Sequence, residues 1–438
     1  MIRAWNTALL FVVPGILAGA PGRVNAQEPG GGDSVQVRRI SLAQALERLE
    51  AGNLELRLER QEVAAAQARR VSAGAFPNPG FAATREQLSG DAGDANETLL
   101  ALSQRFEIGG QRGARRRAAQ RGADASEARL DAARLRLAFQ VHEAYVRAAV
   151  AEADLSVVGE ATAVFRRVEE SGGARFAEGD ISRFDRSRLQ VERARYETLL
   201  ARTRLELDEA ARDLALLVAP DSLAVAAVLL PAASLTELGT VRDAPALAAA
   251  LAAAARRADV RAAEAEVEAA RAQLSLASRE RIPDVTLSAG YKEETGGVSG
   301  AVFGLSVPVP LWNRNQGGMA EARAGVDAAL VRREMALARA RTEIRRAWDT
   351  YRSLHERMRT LDEMLLAASA GMLETARIAW AEGEMSLVEL LDAADAYRSA
   401  RASVNRLQGD HLIALYDLRR ATGRLVESPS TPGDAPAR

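Results

Sequence analysis

The sequence predicts a mainly helical protein with a small β part, built by tandem duplication of one long unit. Residues 80–219 and 311–428 contain no proline, and proline in a helix interior costs about 3 kcal/mol. Both stretches are rich in Ala, Leu, Arg and Glu, a composition typical of long helices. The block Phe176–Ser182 recurs as Trp380–Ser386. Other blocks keep almost the same spacing, and this common register indicates the duplication.

The N-terminus has the layout of a secretory signal. Arg3 precedes an apolar stretch, Ala8–Ala20, and Val24 and Ala26 place small residues before Gln27. This pattern predicts a signal peptide over residues 1–26 and an exported mature chain. The alternative is a short buried helix, which the Gly- and Pro-rich segment that follows disfavours.

Composition excludes several classes of function. The 58 basic residues nearly balance the 59 acidic ones, which argues against a nucleic-acid partner. Without cysteine there is no disulfide, thiolate metal site, cysteine nucleophile or lipidated N-terminal cysteine. No spacing indicates a catalytic constellation or a metal site, so we predict neither an enzyme nor a cofactor. After the first 20 residues, no apolar run is long enough for a membrane-spanning helix.

The repeat and the prolines set the predicted organisation of the chain. Each repeat should consist of a helix, a pair of strands and a long helical hairpin, with the rod-like helices following a heptad-like rhythm. The predicted boundaries are a signal peptide at 1–26, a tail at 27–40, a first repeat at 41–219 with strands at about 81–106 and a hairpin at 113–219, a linker at 220–243, a second repeat at 244–423 with strands at about 284–309 and a hairpin at 317–423, and a disordered tail at 424–438.

The strand pair of the second repeat is the clearer one. Between Val285 and Lys292 apolar and polar residues alternate, then a Gly-rich turn over 295–299 leads to a second strand at 301–309. In the first repeat we expect strands at 81–88 and 97–106 around a polar loop at 89–96. The strands have the length of membrane-crossing β-strands. Small soluble hairpins capping a helical bundle are the alternative.

Four strands cannot close a barrel, because the smallest membrane barrels have about eight. If the strands lie in a membrane, several copies of the chain must share one barrel, and three copies supply twelve strands. One difficulty is the adjacent pair Arg85 and Glu86. One of the two must face lipid, lie at its edge, or mark a wrong strand boundary.

The order of elements behind a signal peptide resembles the TolC-like outer membrane factor family, over residues 41–423. The blocks Phe176–Ser182 and Trp380–Ser386 are similar to the aromatic-x-x-Gly-x-x-Ser/Thr turns of that family. Residues 305–317 resemble its exit from the second strand pair into the helical hairpin. The forms of 76–79 and 106–112 are most similar to the Czc/Cus-type heavy-metal efflux branch.

The resemblance implies a homotrimer with a twelve-stranded β-barrel in the outer membrane and a helical barrel in the periplasm. It implies a passive exit duct for metal ions or small toxic compounds in a tripartite pump driven by an RND-type transporter. The implied partners are outer-membrane lipid, a periplasmic adaptor protein and an inner-membrane transporter. The competing interpretation is an exported periplasmic structural or adaptor-like coiled-coil protein without a membrane barrel.

The resemblance also assigns roles near the helical turns. It makes the turns the adaptor-docking tips, although turn chemistry without a partner is the alternative. The tip residues are Glu178, Gly179, Asp180, Ser182, Glu382, Gly383, Glu384 and Ser386.

Three acidic residues just past the tips are predicted to gate the periplasmic entrance. Glu389 and Asp392 lie one turn apart on one helix face, and Asp185 matches Glu389 in the first repeat. Threefold symmetry would crowd their charges and raise some of their pKa values. A solvated helix face is the alternative. Met385 stands where some relatives have a basic gate partner, so this position lacks the basic residue that a closed-state salt bridge would need.

The remaining residues of chemical interest are histidines and arginines. His142, His355 and His411 are expected to lie alone on their helices, and for His411 a packed seam position is favoured over a metal ligand. A basic cluster opens the first hairpin and is a candidate to meet lipid head groups. Its members are Arg112, Arg115, Arg116, Arg117 and Arg121.

Overall fold

A computed structural model of the protein describes residues 36–90, 93–218, 227–238, 245–369 and 371–423. The predicted signal peptide, most of the predicted N-terminal tail, the C-terminal tail and part of the linker lie outside these residues. None of the helices in the described ranges is both long and apolar enough to span a membrane.

The first repeat contains two short helices, a strand hairpin and a pair of long helices. Helix α3, with 68 residues, is about 100 Å long at 1.5 Å per residue. In chain order the elements are β1 (Gln36–Ile40), α1 (Leu42–Gly52), α2 (Leu54–Ala73), β2 (Gly80–Gly90), β3 (Gly93–Phe106), α3 (Gln111–Glu178) and α4 (Arg183–Val218).

The second repeat follows the same plan, so the prediction of a mainly helical chain with a small β part and an internal repeat is confirmed. Its long helix α8 has 54 residues. The elements are β4 (Ala227–Pro231), α5 (Leu235–Leu238), α6 (Leu247–Ala252), a single 3-10 turn (Ala254–Arg256), α7 (Ala258–Arg279), β5 (Val285–Glu294), β6 (Val298–Ser306), α8 (Gln316–Ser369), α9 (Met372–Ala381) and α10 (Leu387–Ala421).

The two strand hairpins join in one antiparallel sheet with the order β2-β3-β5-β6. The join is made by β3 and β5, where Leu100 lies opposite Tyr291 and Phe106 opposite Val285. One sheet therefore combines both repeats.

The strands differ from their predicted limits. The loop predicted at 89–96 is wrong, because Ser89 pairs with Asp94 and Leu88 with Ala95, so most of it extends the two strands. The strand predicted to run to residue 309 ends at Ser306. Pro308 and Pro310 follow, and proline has no backbone N–H to donate to a neighbouring strand.

The predicted tail and linker contain paired structure. β1 and β4 run parallel, from Gln36 opposite Ala227 to Ile40 opposite Pro231. The Tyr145 hydroxyl secures their ends, since it donates to the Ile40 carbonyl at 3.0 Å and accepts from the Ala232 N–H at 3.1 Å. The sequence concealed this pairing because the two strands have five residues each and lie far apart in the chain.

Two predicted continuous helices are interrupted. In the first repeat Asn53 ends α1 and caps α2, its side chain accepting from the N–H groups of Glu55 and Leu56. In the second repeat α8 does not run through to the turn, because Gly371 has φ of 75° and starts α9 instead. A residue whose backbone is in the left-handed region cannot continue a right-handed helix.

Buried side chains form clusters along the rods rather than one central core. One unites α1, α3 and the end of α4 around Leu49, Leu137 and Tyr145. Another joins α8 to α10 around Ile344 and Tyr351. A third lies beside the helical turns around Phe165 and Trp380. The helices are thus held at successive levels, which keeps the turns far from the sheet.

Candidate functional site

One face of the sheet is apolar and exposed. Since directly paired residues of antiparallel strands share a face, the register places Phe81, Leu102, Ala289 and Phe303 in one row. Phe81 is 71% exposed and Phe303 81%. Neighbouring rows on this face contribute Leu100 with Tyr291, and Leu287 with Leu305. A contiguous apolar surface of this kind indicates contact with lipid or protein.

The opposite face carries small and polar residues. Its rows include Ser103 with Ser288 and Gly304, and Ala101 with Gly290. At the turn end of this face is Lys292, the single lysine of the chain. Its ammonium group lies 3.0 Å from the Glu97 carboxylate and 2.6 Å from that of Glu294. The sheet therefore separates an apolar face from a polar, charged one.

The register resolves the position of Arg85. Arg85 lies opposite Thr98, in a row with Glu293 and Ser299. This row follows the last apolar row toward the strand turns, so Arg85 lies at the edge of the apolar band. Glu86 lies on the polar face opposite Glu97, and both strand assignments hold.

Two residues of the predicted basic cluster have structural roles at the start of α3. Arg115 lies 2.6 Å from the Glu107 carboxylate and also donates to the Ala73 carbonyl. Arg112 donates to the Gly74 carbonyl at 2.7 Å and stacks on the Phe76 ring. These contacts fasten α2 to α3. They account for two members of the cluster without any lipid contact.

The predicted tips are tight helix endings of one design. In the first, Gly179 has φ of 88° and its N–H donates to the Phe176 carbonyl, while the Asp180 N–H donates to the Arg175 carbonyl at 2.8 Å. This is a Schellman motif, which favours glycine at the left-handed position. In the second, Gly383 has φ of 80°, and the corresponding bonds run from Gly383 to Trp380 and from Glu384 to Ala379.

The two tips lie side by side. The Arg175 guanidinium donates to the Trp380 carbonyl at 2.8 Å and lies over the Trp380 ring. Buried Gly172 allows the Leu189 side chain to pack closely against α3, since an added Cβ would lie 2.5 Å from it. All eight predicted tip residues are exposed: Glu178, Gly179, Asp180, Ser182, Glu382, Gly383, Glu384 and Ser386. The turns therefore present a combined surface at one end of the rods.

Two of the three predicted gate residues are also helix caps. The Glu389 carboxylate accepts from the Ser386 N–H at 2.8 Å and from its hydroxyl at 2.7 Å, while the Glu389 N–H donates back to that hydroxyl. Asp185 makes the same set of bonds with Ser182. These are capping boxes. The Ser-x-x-acid spacing that signals them is present at both positions of the sequence.

The hydrogen bonds set the charge state of the cap. Bonds from the Ser386 N–H and hydroxyl stabilise the Glu389 carboxylate and lower its pKa below the ordinary value. This lowering of the Glu389 pKa within one chain is opposite in direction to the rise that crowding of acidic residues from three chains is expected to cause. The Met385 side chain is partly buried and makes apolar contact with the cluster beside the turns.

Asp392 differs from the other two predicted gate residues. It is exposed, and within the described ranges no hydrogen bond or ion pair engages its carboxylate. Glu389 and Asp392 lie one turn apart on α10, as predicted, while Asp185 lies on α4. Of the three carboxylates, that of Asp392 is the one without a bond to a neighbouring residue in the described part of the chain.

The rods also contain buried polar residues that the sequence did not single out. Asp154 accepts a 2.7 Å bond from Asn405, and burial raises its pKa. Tyr397 donates to Glu160 at 2.6 Å, and burial raises the pKa of its hydroxyl to about 12. Both pairs join α3 to α10. The partners lie 237 and 251 residues apart in the chain, so no local pattern could reveal them.

The histidines are not all isolated, contrary to the prediction. His411 is 3% exposed and stacks on Tyr351. It therefore occupies a packed position in the helix seam, as predicted. Its Nε2 lies 3.4 Å from His355 Nδ1. The contact joins α8 to α10 across 56 residues, so separate inspection of each helix missed it. In the described residues, no group of three or more His, Cys, Asp or Glu side chains is placed to hold a metal ion.

A four-stranded sheet with one exposed apolar face, attached to two repeated long helical hairpins, defines the TolC-like channel fold. The chain belongs to the outer membrane efflux protein family, whose model matches residues 45–219 and 250–424. The two matched segments correspond to the two repeats. Members of this family are channel components of efflux systems.

Relatives support the resemblance to the Czc/Cus-type branch. The cobalt-zinc-cadmium resistance protein CzcC of Cupriavidus metallidurans is 24% identical over 403 residues, spanning 88% of this chain and 90% of that protein. The nickel-cobalt-cadmium resistance protein NccC of Alcaligenes xylosoxydans xylosoxydans is 29% identical over 63% of this chain and 61% of its own length. The predicted likeness to metal-efflux members is confirmed.

A solved structure shows the same fold. The Campylobacter jejuni CmeC outer membrane channel superposes with a TM-score of 0.73 at 16% identity, over 88% of this chain and 87% of that one.

Proposed function

We propose that three copies of this chain form the outer-membrane exit duct of a tripartite metal-efflux pump. The substrate class is divalent transition-metal ions, as the names of CzcC and NccC suggest. The duct is passive, since energy and most substrate choice would come from an inner-membrane transporter, of the RND type, joined through a periplasmic adaptor.

The observation that carries the proposal is the two-faced sheet. Four strands with two unpaired edges cannot satisfy their backbone groups in lipid. Three copies supply twelve strands, and a closed barrel would then turn the row of Phe81, Leu102 and Phe303 toward lipid. The opposite face, with Lys292 and Glu97, would line the water-filled interior.

The turns are the proposed docking surface for the adaptor. Their support is that all eight tip residues are exposed while their backbones are fixed by Schellman motifs and capping boxes. A partner that binds them therefore meets a preformed surface and loses little conformational freedom in ordering it.

The proposed entrance gate separates into two kinds of acid. Asp185 and Glu389 hold helix starts, so their charges are fixed in place. Asp392, which has no partner within the described ranges, is the proposed charge that meets passing cations. Three copies around one axis would concentrate cations there and slow the passage of anions.

Single-channel recording in planar bilayers tests this function. The purified assembly should conduct and favour potassium over chloride, and Asp392→Asn should reduce that cation preference severalfold. A matched control is Asp410→Asn, since Asp410 is an exposed acid farther along the same helix. Absence of conductance, or equal effects of the two variants, would contradict the proposed duct and gate respectively.

A further inference from the structure

The nitrogen atoms of the histidine pair between α8 and α10 are spaced like two ligands of a tetrahedral metal site. His355 Nδ1 and His411 Nε2 face each other at 3.4 Å. In tetrahedral zinc sites with Zn–N distances of 2.0–2.1 Å, two ligand nitrogens stand about 3.3 Å apart. An ion placed beside this nitrogen pair could therefore bind both rings without a large movement of either helix.

The surroundings hold the two rings in place. Tyr351 stacks on both, with ring centroids 5.6 Å from His355 and 5.1 Å from His411, and Tyr351 is itself 1% exposed. The two imidazoles are nearly parallel, with an interplanar angle of 28°. Ligands whose rotamers are already fixed lose little entropy when an ion binds.

The two residues also differ in access. His411 is buried, whereas His355 is half-buried, so the pair lies at the edge of the helix seam rather than in its centre. An ion could approach from the His355 side. Coordination positions not occupied by the two imidazoles would be completed by water.

We propose that His355 and His411 form a binding site for one divalent transition-metal ion per chain, which links α8 to α10. Binding requires both facing nitrogens to offer lone pairs, so each neutral imidazole must carry its proton on its other ring nitrogen. The proton of the hydrogen bond between the rings therefore moves to the outer nitrogen of the ring that held it, with no net proton released. Nitrogen ligands favour copper, nickel and zinc over magnesium or calcium. Both ligands come from one chain, so the site does not depend on the proposed trimer.

Equilibrium dialysis against zinc chloride tests the site. The full chain, purified in detergent without a polyhistidine tag, should take up one zinc ion per chain. His355→Gln should weaken this binding at least tenfold, because glutamine fills a similar volume but is a poor zinc ligand. His142→Gln is the matched control. His142 is a buried histidine on α3 whose Nδ1 contacts the Ala138 carbonyl, and its loss should leave zinc binding unchanged.

A spectroscopic measurement covers the case in which a variant folds poorly. With copper(II) bound, the electron paramagnetic resonance spectrum of the unmodified protein should show coupling to two imidazole nitrogens, reduced to one in His355→Gln. The proposal is overturned if the unmodified protein binds no zinc, if His355→Gln binds it as tightly, or if the copper spectrum shows no imidazole coupling.

Discussion

At the scale of single residues, the turns are defined by paired caps. Ser386 and Ser182 each exchange hydrogen bonds with the acid three positions later, so residues selected as docking and gating candidates also begin helices. Sequence reasoning located these residues because they recur in both repeats. The caps were not predicted, because the charge of an acidic residue does not show which groups its carboxylate accepts hydrogen bonds from.

Removal of the Ser386 hydroxyl should destabilise the second turn. Ser386→Ala deletes the acceptor for the Glu389 N–H and the donor to its carboxylate, and such N-cap losses cost about 1 kcal/mol. The measurement is the free energy of unfolding in denaturant. Ser403→Ala is the control, because the exposed Ser403 hydroxyl donates to the Ser399 carbonyl within α10 and caps no helix. Equal effects of the two substitutions would show that the cap does not stabilise the turn.

Two buried histidines predict loss of stability in acid. Burial lowers the pKa of His142, with a smaller contribution from Arg419, and burial together with His355 lowers the pKa of His411. The unfolded chain therefore takes up protons first as the pH falls through about 6.5, and the folded state loses stability below that pH. The loss is at most about 1.4 kcal/mol per pH unit for each histidine.

Unfolding at pH 7.5 and pH 5.5 checks this sign. His142→Gln should reduce the difference in unfolding free energy between the two pH values, since glutamine does not titrate. An unchanged difference in the variant would mean that His142 is not held neutral.

At the scale of elements, proline and glycine explain both the success and the failure of prediction. Long gaps without proline located the rods, and Pro308 accounts for the early end of β6. The break at Gly371 was missed because glycine is tolerated within many helices, including at Gly172 in α3. Only the observed φ distinguishes a helix break from a packing site.

The crossing of α10 and α3 depends on a glycine. A Cβ added to Gly409 would collide with Val150 Cγ2, so Gly409→Ala must displace the Val150 side chain or push the two helices apart. Overpacking of this kind costs about 1–3 kcal/mol. Thermal unfolding of the purified protein is the measurement.

Gly325 supplies the opposite case. It is exposed within α8, and an added Cβ would have no described atom within 4 Å. Gly325→Ala should therefore stabilise the protein by up to about 1 kcal/mol, the difference in helix propensity. If Gly409→Ala also stabilised it, the close α10–α3 contact would be wrong.

At the scale of the whole molecule, the sheet lies at one end of the long helices and the helical turns lie at the other. Residue alternation predicted which side chains share a face, and the pairing of β3 with β5 places both repeats in one surface. Sequence could not fix that pairing, because register depends on contacts between strands that lie far apart in the chain.

Adjacent residues on β3 test the two faces. Leu102→Arg places a charge on the apolar face and should cost about 2–4 kcal/mol if that face lies in lipid. Ser103→Arg places the same charge on the polar face and should be tolerated better. The measurement is the amount of each variant recovered in outer membranes, and equal recovery would contradict the assignment of faces.

The central claim is that three chains share one outer-membrane duct. Its most direct test is the mass of the assembly, by light scattering with correction for detergent, after extraction from purified outer membranes. The account predicts three copies of the mature chain in that fraction. A monomer or dimer recovered from the soluble periplasmic fraction would contradict it.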